Sequence, residues 1–141
     1  MSLTAEASVH VDADREAVWR ALTDPGLIAQ YLFGTQVETD WAVGSPITYS
    51  GVWEGKPYQD KGTILVFDEP NTIVSTFFSA LRGKPDIPEN YQNVTYRIDD
   101  AVDGGVTVTV IQDGNADEAE AAHSARNWTM VLEGLRGVVE R

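Results

Sequence analysis

The segment that most limits what this chain can fold into is its last one. From Asp117 to Glu140 the sequence reads DEAEAAHSARNWTMVLEGLRGVVE. At about 100° per residue, Ala121, Ser124, Ala125, Trp128, Val131, Leu132, Leu135 and Val139 fall on one face, with Arg126, Glu133 and Glu140 opposite. Asp117, with Glu120 three residues on, supplies a capping box. At ~1.5 Å per residue the helix from Glu118 to Glu140 is about 34 Å long, enough to cross a whole domain. Its apolar stripe is uneven. Trp128, Leu132, Leu135 and Val139 fill space, whereas Ala121, Ser124 and Ala125 leave it open. A sheet wrapped around such a helix has room for a cavity beneath the first half, unless strand tryptophans and tyrosines fill it as ordinary close-packed core.

The preceding sequence supplies that sheet. In ASVHV, Ala7, Val9 and Val11 alternate with Ser8 and His10, the period of a half-buried strand. The period then changes: Val18, Ala21 and Leu22 recur at helical spacing behind Asp14, and Asp24-Pro25 restarts a second short helix. QVETDW, PITYSGVWEG, a KGTILVFDEPNTIVSTFFS hairpin turning at DEPN, NVTYRIDD and GVTVTVIQ then follow as strand candidates. Short connections make them antiparallel neighbours. The irregular insert ALRGKPDIPEN, Ala80 to Asn90, reads as a mobile loop. No repeat, linker or low-complexity tract divides the chain, so a single domain over residues 1–141 is expected.

Strand, helix pair, antiparallel meander and long closing helix together make the helix-grip order. AVWRALTDPGLIAQYLFG, VGSPITYSG, KGTILVFDEPNTIVSTF, GGVTVTVIQDG and NWTMVLEGLRGVVE resemble the START-like (SRPBCC) superfamily. The similarity is to the branch related to the C-terminal domain of the activator of the 90-kDa heat-shock protein ATPase, and it covers about Ala7 to Glu140. The match includes Trp19 to Pro25. It departs from the family pattern at Asn127, where a glycine commonly precedes the tryptophan, and at Gly44-Ser45-Pro46, where proline suggests a strand start. The resemblance implies an α+β fold, with a curved antiparallel sheet gripping the final helix around an apolar cavity. It also implies binding of a small apolar or aromatic ligand. A chaperone-associated interaction protein and a cyclase- or hydrolase-like enzyme using the same cavity are the alternatives it leaves.

Composition limits the rest. With no cysteine there is no disulfide or thiolate chemistry, and a reducing cytoplasm is the natural compartment. A net charge of −12 repels phosphate backbones and anionic surfaces, against nucleic-acid or membrane-surface binding. No apolar run is long enough to span a membrane. No metal-ligand spacing, nucleophile motif or phosphate-binding glycine loop is present, so neither metal, cofactor nor catalytic residues are expected. His10 and His123 read as surface residues, and Asp68-Glu69 and Asp99-Asp100 as solvated turn carboxylates. Arg82 and Arg97 read as solvated charges, with an anionic ligand head as the alternative. The cavity candidates are Tyr49, Trp53, Tyr96, Ser124 and Trp128: apolar walls with hydroxyl or indole donors, equally explicable as core.

Overall fold

The computed structural model describes residues 3–140. β1 (Leu3–Val11) is followed by α1 (Arg15–Thr23) and α2 (Pro25–Tyr31), six further strands, and α3 (Glu118–Val139). The strands are β2 (Gln36–Thr39), β3 (Pro46–Trp53), β4 (Lys56–Asp68), β5 (Thr72–Phe77), β6 (Gln92–Asp100) and β7 (Val106–Asn115). They form one antiparallel sheet in the order β1-β7-β6-β5-β4-β3-β2, with α3 packed chiefly against β1 and also against α2, β7 and α1. This is the helix-grip α+β architecture that the sequence order implied.

Each helix begins where a side chain can satisfy its free N–H groups. The Asp14 carboxylate accepts from Ala17 N at 2.9 Å, and that of Asp117 accepts from Glu120 N at 2.8 Å. Asp24 both closes α1, its N–H donating to Arg20 O, and caps α2 by accepting from Gly26 N at 2.8 Å. The buried stripes of α1 (Val18, Trp19, Ala21, Leu22), α2 (Ile28, Tyr31) and α3 (Val131, Leu132, Leu135) then meet the alternating inward residues of the strands, Val9, Val11, Val108 and Val110 among them. Arg15 ties the start of α1 to the sheet, donating to Asn71 Oδ1, Ile98 O and Asp100 Oδ1 at 2.7 to 2.9 Å. No helix among the described residues is long and apolar enough to cross a membrane.

Two irregularities bend the sheet. The register slips by one residue between Ile64 and Val66 opposite Ser75 and Val74, and again between Leu3 and Ala5 opposite Asn115 and Gln112. A bulge adds local twist and re-aims the side chains that follow it. At the first slip Leu65 and Val66 both become exposed, after which Phe67 again packs on the core.

Two expectations change. The sequence reading started the β4 strand at Lys61, but it starts at Lys56, across a two-residue turn in which Glu54 and Gly55 have φ of 50° and 80°. Positive φ at both central residues is the hairpin turn that matches strand twist. The Ala80–Asn90 insert is folded: it forms two 3-10 turns, Ala80–Arg82 and Pro88–Asn90, and is anchored at Arg82, at Asp86 between the turns, and by the residues flanking it. Phe78 stacks on Tyr91 at 5.0 Å, Arg82 pairs with Glu120 at 2.7 Å, and Asp86 takes an ion pair from Lys61 and a 2.6 Å hydrogen bond from the Tyr91 hydroxyl. Those bonds hold the Asp86 carboxyl below its ordinary value, Lys61 contributing most.

Candidate functional site

The space left between sheet and helices is divided in two by side chains common to both parts, Leu32, Tyr49 and Tyr96. The inner part, about 30 Å³, lies among Leu22, Ile28, Tyr31, Val37, Ile73 and Ser75. That is room for about one water. The outer part is a cavity of about 160 Å³, bounded also by Thr35, Tyr58, Asp60, Phe77, Val94 and Trp128. Its volume suits a single ring, since a cavity of roughly 150 Å³ accepts benzene.

Its walls follow from strand alternation. In β3, Ile47 and Tyr49 point inward, and β4 pairs with it so that Tyr49 stands opposite Asp60 and Gly51 opposite Tyr58. Cross-strand partners share a face, which puts a tyrosine and a carboxylate on the same wall. A Cβ at residue 51 would lie 2.7 Å from the Tyr58 hydroxyl, so glycine there lets the Tyr58 ring fold across β3. The Tyr58 hydroxyl then meets the Thr35 hydroxyl at 2.6 Å and closes that end of the cavity. Opposite, Trp128 stands edge-on to Tyr96 at 5.7 Å, and Tyr49 meets Phe77 at 5.9 Å in the same manner.

Burial governs the ionisable groups of this interior. It pushes the Tyr49 phenol up to about 12, a hydrogen bond with Ser75 opposing the rise and the Asp60 charge adding to it. The Tyr31 and Tyr96 phenols are also raised by desolvation, with Tyr49 adding to both and Tyr31 adding to Tyr96. Tyr31 donates to Ala21 O at 2.7 Å. The Asp60 carboxyl is raised by desolvation, with a hydrogen bond from Ser79 offsetting part of the effect. All four groups therefore hold their protons more tightly than in water.

Beyond Trp128 lies a polar groove of about 320 Å³ against the first half of α3. The Trp128 Nε1–H donates to Gln112 Oε1 at 2.7 Å, and Gln112 Nε2 donates to Gln92 Oε1 at 2.8 Å. Ser124 lines this groove and donates to Asn115 Oδ1 at 3.1 Å.

Of the five residues singled out in the sequence, Tyr49, Tyr96 and Trp128 line one cavity, and Ser124 faces the adjoining groove. The groove beside Ser124 adjoins the aromatic cavity at Phe77, the side chain common to both linings. The β3 backbone at Trp53 pairs with Lys56, and the Trp53 side chain lies outside the described residues. Arg82 and Arg97 are both away from the cavity wall, paired with Glu120 and Asp99. His10 and His123 are exposed. Among the described residues, no group of three or more His, Asp or Glu is placed to hold a metal ion. Sequence reasoning missed Asp60. The Glu54-Gly55 turn was the available signal, because that turn fixes the register that sets Asp60 opposite Tyr49.

The family model described as "Activator of Hsp90 ATPase homolog 1-like protein" matches residues 12–140. A protein from Cytophaga hutchinsonii with a known solution structure is 46% identical, with a TM-score of 0.84 over 98% of this chain and 94% of that one. Crystal structures of a Mesorhizobium loti protein and of the CalU16 protein of Micromonospora echinospora share the fold. The former has 22% identity and a TM-score of 0.79 over 99% of this chain and 98% of that one; the latter has 19% and 0.71 over 99% and 86%. No curated protein matches the chain.

Proposed function

Because the chain belongs to the family of activator of Hsp90 ATPase homolog 1-like proteins, a fold suited to ligand binding, we propose that it binds a small apolar or aromatic molecule between its sheet and its C-terminal helix. The observation that carries this reading is the cavity of about 160 Å³, walled by Tyr49, Phe77, Tyr96 and Trp128 and edged on one side by the polar groups of Thr35, Tyr58 and Asp60. Apolar walls supply affinity, and a few placed polar groups supply orientation. We propose Tyr49, Tyr96 and Trp128 as ligand-contacting residues. The test is chemical-shift mapping with small one-ring alcohols, repeated on Val94→Phe, which fills the cavity from β6. Binding is expected to perturb Tyr49, Tyr96 and the Trp128 indole N–H and to vanish in the filled variant. Perturbations confined to the exterior, or binding that survives filling, would overturn the reading.

Asp60 favours a second reading, in which the cavity carries out acid–base chemistry. A carboxyl held in a desolvated wall beside a bound molecule is the kind of group such chemistry uses. Mass spectrometry of a bound compound after incubation, with Asp60→Asn as control, separates the two: unaltered compound in both samples excludes turnover. A chaperone partner is supported by family membership alone; a pull-down with the 90-kDa heat-shock protein tests it, and no capture at high protein concentration would set it aside.

A further inference from the structure

We propose that the cavity selects a protonated amine, its ring stacked among the aromatic walls and its ammonium facing Asp60, and that it discriminates against carboxylic acids. This rests on the ligand-binding reading above and specifies the ligand's charge. The aromatic walls alone are neutral on that point. Asp60 is the sole carboxylate among the described residues of the lining, and no lysine, arginine or histidine joins it there.

Of the nearby basic groups, Lys84 lines the adjoining groove and not the cavity, and two others are held in ion pairs. Lys61, next in β4, pairs with Asp86 on the outer face, and Arg82 pairs with Glu120 across the adjoining groove. An acid entering the cavity would therefore lose its hydration without gaining a cation, and would meet a like charge. An ammonium gains on three counts. The carboxylate accepts a charge-assisted hydrogen bond from it. The ring of Tyr49, the cross-strand partner of Asp60, is the aromatic group placed to add cation–π attraction. The −12 charge of the chain raises the local concentration of cations and lowers that of anions.

Desolvation is what makes Asp60 suited to this. Its carboxylate is incompletely solvated in the free protein, as its raised proton affinity records, so less water must be removed when a cation arrives. Beside Asp60 on the same edge, the Tyr58 and Thr35 hydroxyls bond each other at 2.6 Å, which leaves Asp60 as the charged group of that polar edge.

The experiment uses three compounds of matched size, 2-phenylethylamine, 2-phenylethanol and phenylacetate, titrated by calorimetry at neutral pH into the full chain and into Asp60→Asn. The amine is expected to bind at least about tenfold more tightly than the alcohol, the difference a single charge-assisted hydrogen bond supplies, with phenylacetate weakest. In Asp60→Asn the gap between amine and alcohol should close, and an amide spectrum that matches the wild type away from residue 60 reports an intact cavity. Equal binding of amine and alcohol, preference for phenylacetate, or an amine preference that survives the substitution would overturn the inference and leave the cavity as a neutral binding site. Failure of all three compounds to bind would remove the ligand-binding reading itself, and this inference with it.

Discussion

Asp60 lines the cavity together with Tyr49, Phe77 and Trp128, and this apolar lining makes its charge costly. An acid whose proton affinity is raised by folding contributes stability that is complete below its unfolded pKa and is lost as pH rises through the folded value. The folded value lies above the ordinary 3.8, so Asp60 destabilises the free protein throughout the neutral range. Asp60→Asn removes the charge and keeps an oxygen to accept from Ser79. Its melting temperature is therefore expected to exceed that of the wild type at pH 7, and the difference to shrink as pH is lowered toward the ordinary carboxylate range. Thermal melts of both proteins across that range check it. A variant less stable at pH 7 would mean that the carboxylate makes stronger native contacts than its surroundings indicate. Groups whose proton affinity is shifted by desolvation in a cleft are enriched at functional sites.

At the level of elements, β4 is the member that determines where everything else goes. Its first half forms the hairpin with β3 that brings Tyr58 and Asp60 to the cavity, and its second half carries the bulge that curves the sheet. Gly62 lies between, where β4 and β5 approach so closely that a Cβ would fall 1.7 Å from the Thr76 carbonyl oxygen. The obstruction is backbone, which cannot rotate aside. Gly62→Ala is expected to cost more than about 2 kcal/mol, toward the upper end of overpacking effects. Gly137→Ala, on α3 where an added Cβ meets nothing, is expected to gain roughly 0.5–1 kcal/mol from helix propensity. Urea denaturation of both gives the comparison, and a Gly62→Ala midpoint near that of the wild type would show that β4 and β5 can part without loss.

The same element marks the boundary of what the sequence made legible. The helices could be read because capping and period coincide: Asp14, Asp24 and Asp117 each stand one residue before an amphipathic run, and each accepts a first-turn N–H. The strands could be read wherever one face is buried, as in Val106, Val108 and Val110. Lys56 to Asp60 could not, because KPYQD has no apolar alternation; its inward positions, Tyr58 and Asp60, face a cavity instead of a core. Gly62 was equally silent, since a close backbone approach depends on curvature that local pattern does not encode. The aromatic wall was visible as residues, but its division from the polar groove was not. The two spaces meet at Phe77, and which side each lining residue takes depends on contacts distant in sequence, such as the bond between Trp128 and Gln112.

At the scale of the whole molecule, the question is whether charge repulsion or ion pairing dominates its electrostatics. Twenty-two acidic residues face ten basic ones, and among the described residues pairs such as Arg97 with Asp99 and Arg136 with Glu133 are solvent-exposed, Arg82 with Glu120 being more shielded. Exposed pairs contribute about 0–1 kcal/mol each and lose part of that in salt. The excess of twelve negative charges, by contrast, repels itself over the whole surface wherever the screening length is long. Raising the ionic strength from about 0.01 M to about 0.1 M shortens that length from ~30 Å to ~10 Å, less than the length of α3. Repulsion across the molecule is then removed while contacts within a pair are only weakened. The melting temperature is accordingly expected to rise with sodium chloride over this range, and the association rate of a cationic ligand to fall over the same range, because the field that draws it in is screened. Thermal melts and stopped-flow fluorescence of Trp128 and its neighbours in matched buffers test both. A melting temperature that falls with salt would place the balance with the ion pairs. A cation association rate indifferent to salt would mean that the ligand's charge is recognised only after entry, at Asp60, and not by the molecule as a whole.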